Sequence, residues 1–235
     1  MIYLYIHTSS EYLYSALPKD NEILSFKKSK LEHELSTYAL DEISKMFEDA
    51  KLSPDNVDKI IVVACGSAYH AGLVGKGVIK SLCKIPCSVE IASEFRYGET
   101  FINENTLAVF ISQSGETADT LAALRKARSA GARTIGIVNE FSSSVACESD
   151  FVLYTRAGPE IAVATTKAYT CQLMVLYFLA VFSAYENKLL NDGDYQYYIN
   201  ELNSLPEKAS GIIERQEEFS KFAKVLSAQT AVHFI

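Results

Sequence analysis

The sequence predicts an α/β fold, a three-layer α/β/α domain with a five-stranded parallel sheet. Three observations predict it. Short, β-branched apolar runs alternate with helical stretches between residues 59 and 185. These runs are apolar almost throughout, not alternately polar, as strands buried on both faces must be. The loops that follow them carry Gly, Ser and Thr, residues that open helices and sit where open α/β sheets bind ligands.

Residues 1–34 show no clear period and read as a peripheral N-terminal extension with one short strand. A first helix spans roughly residues 35–50, with Leu40, Ile43 and Phe47 on one face. Ser53-Pro54-Asp55-Asn56 breaks it with turn residues. The alternation then begins. Residues 59–64 (KIIVVA) form the first sheet strand, 68–83 a helix and 87–91 the second strand. Residues 107–111 (LAVFI) form the third strand, and 118–130 a helix stopped by Gly131. Residues 133–138 (RTIGIV) form the fourth strand, 143–147 a short helix and 151–154 the fifth strand. A long helix over 165–185 closes the domain, with Asn187 as its C-cap. The predicted domain covers residues 35–190. Residues 191–235 read as a helical linker with helices over 195–205 and 206–226, then the strand-like run 230–235, the expected start of a second, missing domain.

The 235 residues carry 22 basic and 29 acidic side chains, a net charge of −7. An acidic surface lacks the basic footprint of a nucleic-acid binder, so no nucleic-acid partner is expected. One phosphate group can still be held by backbone N–H groups and hydroxyls. The five cysteines are odd in number, which points to reduced thiols and the cytoplasm. Cys83 and Cys87 have no further Cys or His at zinc-ligand spacing, so no metal is expected. The N-terminal apolar run lacks a basic flank and a cleavage site, so it is not a signal peptide. Residues 168–184 are the most apolar stretch, but Gln172 interrupts it and it is short for a membrane span. A buried core helix is expected and no membrane association.

Three loops lie at the carboxyl ends of predicted strands. The richest is Ser112-Gln113-Ser114-Gly115-Glu116-Thr117, three hydroxyls and an amide around a glycine, running straight into a helix. Gly115 lets the backbone turn tightly, and the helix start adds unpaired N–H groups and a positive dipole end. Together they suit an anion. Helix capping alone accounts for one serine, not for the cluster. Glu116 reads as a carboxylate of the helix's first turn. The second loop, Cys65-Gly66-Ser67, lacks the spacing of a dinucleotide or P-loop motif but offers a backbone N–H and a hydroxyl. Cys65 reads as a small buried thiol and His70 as a surface or packing residue. In the third loop, residues 158–167, Thr165 and Thr166 read as N-caps of the long helix or as contacts to a sugar. Lys167 fits either a phosphate or the helix's first turn.

Four strings in order, ACGSAYHAG (64–72), VEIASEFRY (89–97), ISQSGETADTLAALRKA (111–127) and EIAVATTKAYTCQL (160–173), resemble the SIS (sugar isomerase) family. Within it they resemble the first SIS domain of the glutamine–fructose-6-phosphate aminotransferases. The resemblance runs from about residue 35 to 185. It implies a flavodoxin-like SIS fold and a sugar 6-phosphate ligand, fructose 6-phosphate or glucosamine 6-phosphate, with no cofactor. It implies that Ser112, Gln113, Ser114 and Thr117 hold the phosphate. Cys65, Gly66 and Ser67 would touch the sugar, and Val163 and Thr165 would hold its hydroxyls. It further implies a homodimer.

The departures matter equally. Ala68 stands where the family loop carries a serine, and Gly98 where it carries a basic residue. Residue 2 is Ile2, not the nucleophilic cysteine of a glutaminase domain. The family's acid–base residues belong to a second SIS domain, so none of the catalytic residues is expected here. The expected function is phosphosugar binding within an aminotransferase/isomerase. The alternatives are a glutaminase-free sugar-phosphate deaminase or deglycase, and a non-catalytic phosphosugar sensor.

Overall fold

A computed structural model describes residues 5–9, 12–19, 22–30, 43, 57–161 and 165–230. Five strands build its main sheet: β4 (Lys59–Ala64), β5 (Cys87–Ile91), β6 (Thr106–Ser112), β7 (Arg133–Val138) and β8 (Phe151–Tyr154). Between them run α1 (Gly66–Cys83), α2 (Ala92–Tyr97), α3 (Ala118–Ser129) and α4 (Ser144–Glu148). Each helix carries the chain back to the start of the sheet, so every strand pairs in parallel, in the order β5-β4-β6-β7-β8. This is the flavodoxin-like order, and β6 at its centre is buried along its whole length.

Successive side chains on each strand point to opposite faces and build two cores. Ile60, Val62, Leu107, Val109, Ile111, Ile135 and Ile137 face α1 and the long helix α5 (Lys167–Glu186). Ile61, Val63, Ala108, Phe110 and Val138 face α2, α3 and α4. The helices thus form a layer on each side, as the sequence predicts. A Cβ on Gly75 of α1 would lie 2.7 Å from Leu176 Cδ1, so the glycine permits close packing on α5. By length and composition α5 could cross a membrane, yet 56% of its apolar window is buried inside the fold. Asn187 ends it as expected, its Nδ2 donating to Ser183 O at 2.8 Å.

Three findings depart from the sequence reading. The N-terminal extension holds a three-stranded antiparallel sheet, β1 (Tyr5–Ser9), β2 (Tyr12–Lys19) and β3 (Glu22–Lys30), not one strand. Its register shifts between Leu17 and Pro18, where proline has no N–H for the ladder. Residues 92–97 form α2, for which no helix was predicted. Phe95 is buried, and Arg96 pairs with Asp119 of α3 at 2.7 Å, so the SEFRY segment braces α3. The expected helix over 206–226 is two, α7 (Leu205–Ile213) and α8 (Gln216–Ser227), after α6 (Asp192–Asn203). The break falls where Arg215 N–H bonds Ile212 O, one residue short of the helical spacing. The helix predicted over 35–50 lies outside the described residues except for Ile43, which is helical and buried. The strand-like run 230–235 lies outside them beyond Thr230.

Candidate functional site

The chain runs from β4 to its neighbour β5 on one side and then crosses to β6 on the other. Loops leaving adjacent strands in opposite directions open a crevice at the carboxyl ends of β4 and β6. A cavity of about 360 Å³ occupies it. Its walls include Cys65, Ser67 and Ala68 after β4; Ser112, Gln113, Ser114 and Thr117 after β6; and Glu160, Thr165 and Gln172 from the third loop and α5. The structure therefore brings seven of the nine expected site residues to one cavity. Gly66, at φ 57°, sits between Cys65 and Ser67 at the start of α1. Val163 lies outside the described residues. A second cavity of about 420 Å³ lies elsewhere, against Lys59, Glu90 and Phe101.

The loop Ser112–Thr117 is folded on its own hydroxyls. Ser112 Oγ accepts from Gly115 N at 3.0 Å and shares a hydrogen bond with Thr117 Oγ1 at 3.1 Å. Ser114 Oγ accepts from Glu116 N at 3.2 Å. A hydroxyl that accepts from the backbone keeps its own proton to donate. Gly115 stands at φ 64°, a left-handed conformation that glycine adopts without strain. The first N–H groups of α3 follow directly, without intrahelical partners. Thr117 heads that helix but makes no side-chain cap, so its hydroxyl is not committed to capping. No Lys or Arg is among the described residues of the cavity wall. An anion here is met by neutral donors and a helix dipole, which suits the chain's acidic balance.

Neighbouring elements hold this loop in place. Glu116 does not serve its own helix, as the sequence suggested. Its carboxylate accepts from Ser144 N and Ser144 Oγ, both at 2.7 Å, at the start of α4. These bonds pull its pKa below the ordinary carboxylate value. Val145 N donates to Gly115 O at 2.9 Å, and Asn139 N to Gln113 O at 3.0 Å. Asn139, buried after β7, also binds the segment after β8: its Oδ1 accepts from Ala157 N at 2.8 Å and Thr155 Oγ1 at 3.1 Å. Its Nδ2 donates to Gly158 O at 3.0 Å. One residue thus joins the hydroxyl-rich loop, through its backbone N–H, to the third loop, through its side chain.

In the third loop the predicted capping is redistributed. Thr166 makes no side-chain cap at the start of α5. Glu160 Oε2 instead accepts from Thr165 Oγ1 at 2.9 Å and from Ala168 N at 3.3 Å. A carboxylate is the stronger acceptor for a helix start. Lys167 is exposed, opens α5 and is not among the described residues of the cavity wall. His70 is exposed, as expected, while Cys65 is partly exposed where a buried thiol was expected. All five cysteines are unpaired, and no metal-binding group of His, Cys, Asp or Glu occurs among the described residues. Glu160 and Gln172 are wall residues that sequence reasoning did not select.

Comparison with known proteins gives this geometry a family. Residues 55–182 match the SIS domain. The glutamine–fructose-6-phosphate aminotransferase (isomerizing) of Clostridium acetobutylicum is 52% identical over 179 residues, 76% of this chain and 29% of that protein. The chain thus spans about 30% of the length of such relatives. Among solved structures, the C-terminal domain of glucosamine-fructose-6-phosphate aminotransferase from Francisella tularensis superposes with a TM-score of 0.73 and 35% identity. It covers 82% of this chain and 57% of that one. Glucosamine-6-phosphate deaminase from Thermotoga maritima superposes with a TM-score of 0.55 and 28% identity over 75% of this chain and 54% of that one. The SIS match takes in the whole parallel sheet and all three loops around the cavity, over more than half of the sequence, and the chain belongs to the SIS-domain family.

Proposed function

We propose that this chain is the phosphosugar-binding SIS domain of an aminotransferase/isomerase that converts fructose 6-phosphate to glucosamine 6-phosphate. The observation that carries the reading is the loop Ser112–Thr117, with its hydroxyls and helix start lining a cavity at the strand-order switch point. The names of the relatives supply the sugar phosphates. In this reading Ser112, Gln113, Ser114 and Thr117 hold the phosphate. Cys65, Gly66, Ser67, Val163 and Thr165 face the sugar.

The loop's contribution is positioning. A phosphate held at one end fixes the carbonyl end of the sugar for attack by ammonia and proton transfer between C1 and C2. Glu160, the one carboxylate among the described wall residues, holds the start of α5. That favours binding over proton transfer by this chain, so a phosphosugar sensor is the second reading. A sugar-phosphate deaminase, of the kind the Thermotoga structure represents, is the enzymatic alternative. Self-association and a cytoplasmic setting belong to the same proposal. The exposed Ile212, Ile213, Phe219 and Phe222 of α7 and α8 offer a second copy an apolar surface.

Calorimetric titration with fructose 6-phosphate and glucosamine 6-phosphate, beside an isomerase assay, tests the reading. Both ligands are expected to bind, and Ser114→Ala to weaken them by about 1–2 kcal/mol for one charge-assisted hydrogen bond. Binding without turnover selects the sensor. No binding of any sugar phosphate refutes the site.

A further inference from the structure

The long helix α5 buries two polar side chains; Ser183 is satisfied by Leu179 O, and Gln172 is not. Gln172 is 2% exposed, and Ala168, Val175 and Leu176, one turn to either side, belong to the core. Its Oε1 has no hydrogen-bond partner. A buried amide oxygen left alone is costly, and leucine or methionine would fill the same volume without that cost. Packing therefore does not account for the amide. The cavity does, because Gln172 forms part of its wall, together with the phosphate loop.

The two sides of that cavity differ in chemistry. The loop after β6 presents hydroxyl donors and a helix start. The third loop and α5 contribute the Glu160 carboxylate, bonded to Thr165 Oγ1, and the Gln172 side chain, whose buried carbonyl oxygen has no hydrogen-bond partner. Phosphate oxygens are acceptors and would be repelled by a carbonyl oxygen. A donor on another part of the ligand would suit Gln172 Oε1. A ligand with an anionic end and a hydroxyl or amine end matches this polarity.

We propose that Gln172 reads the sugar, its Oε1 accepting a hydrogen bond from a hydroxyl or amine on the carbon skeleton of the bound sugar phosphate. The assignment rests on the phosphosugar reading above, and it makes Gln172 a specificity residue that sets sugar phosphate apart from phosphate. Gln172→Leu and Gln172→Met test it. Each is titrated with inorganic phosphate, fructose 6-phosphate and glucosamine 6-phosphate, and melted without ligand. Affinity for inorganic phosphate is expected to stay within about twofold of wild type, and affinity for the sugar phosphates to fall about fivefold to tenfold. The ligand-free melting temperature is expected to hold or rise, since a buried unpaired group has gone. Sugar-phosphate affinity equal to wild type in both variants overturns the assignment. So does an equal loss of inorganic phosphate, or a lowered melting temperature in both variants. Wild-type protein that binds neither phosphate nor sugar phosphate would refute the phosphosugar reading itself, and this assignment with it.

Discussion

Gly115→Ala probes the loop at its most constrained point. The residue stands at φ 64°, where an L-residue costs about 1–2 kcal/mol. A Cβ there would lie 2.1 Å from Ser143 Oγ and 2.5 Å from Ser143 Cβ. Ser143 cannot swing its Cβ away; it is buried and heads α4, whose Val145 N–H is bonded to Gly115 O. Forcing a methyl into such packing adds about 1–3 kcal/mol. The total expected loss is about 2–5 kcal/mol. Urea unfolding of wild type, Gly115→Ala, Ser143→Gly and the double variant separates the two causes. Ser143→Gly removes both clashing atoms, so it should return the steric share and leave the backbone share of about 1–2 kcal/mol. A loss below about 0.5 kcal/mol in Gly115→Ala, the size of an ordinary surface change, would refute the reasoning.

Other outcomes follow from the same contacts. Glu116→Gln should loosen the loop from α4 in a pH-dependent way. Its folded pKa is depressed, so its contribution is complete above the ordinary carboxylate value of 4.5 and is lost as pH falls through the lower folded value. The stability gap to wild type, read by melting from pH 7 down to pH 3, should shrink with acid. Asn139→Ala should cost about 2–3 kcal/mol in urea unfolding, because it strips partners from Ala157 N and Gly158 O together, and should weaken sugar-phosphate binding. Burial pushes the Cys83 thiol up to about 12 and the Cys87 thiol up to about 11. Iodoacetamide on native protein at pH 8, followed by peptide mass spectrometry, should label the exposed Cys147 well before either.

The sheet was legible because its inner strands, β4, β6 and β7, are buried on both faces. A run such as 107–111 can be little else than an inner strand when turn residues and helical periods flank it. The hydroxyl-rich loop was legible as a candidate anion site because its residue types exceed what capping needs. What holds the loop was not. Glu116 reaches Ser144, and Asn139 reaches Gly158, across gaps in sequence that no local pattern records. The N-terminal sheet was missed because β3, Glu22–Lys30, places Ile23 beside Leu24 and Lys27 beside Lys28, without the alternation that marks a strand. Asp20-Asn21, a pair of turn-forming residues, was the available signal. Gln172 was visible as the interruption of an apolar helix. Its meaning needed the cavity, since only a three-dimensional wall shows which buried amide faces a ligand.

The account's central claim is that Ser112–Thr117 holds the phosphate of a sugar phosphate. Backbone amide shifts of labelled protein, followed by NMR during titration with glucosamine 6-phosphate, test this most directly. The largest changes should fall on Ser112, Gln113, Ser114, Gly115, Thr117 and the first turn of α3, and inorganic phosphate should move the same amides. Saturable binding that leaves these amides unmoved and shifts another region would contradict the account.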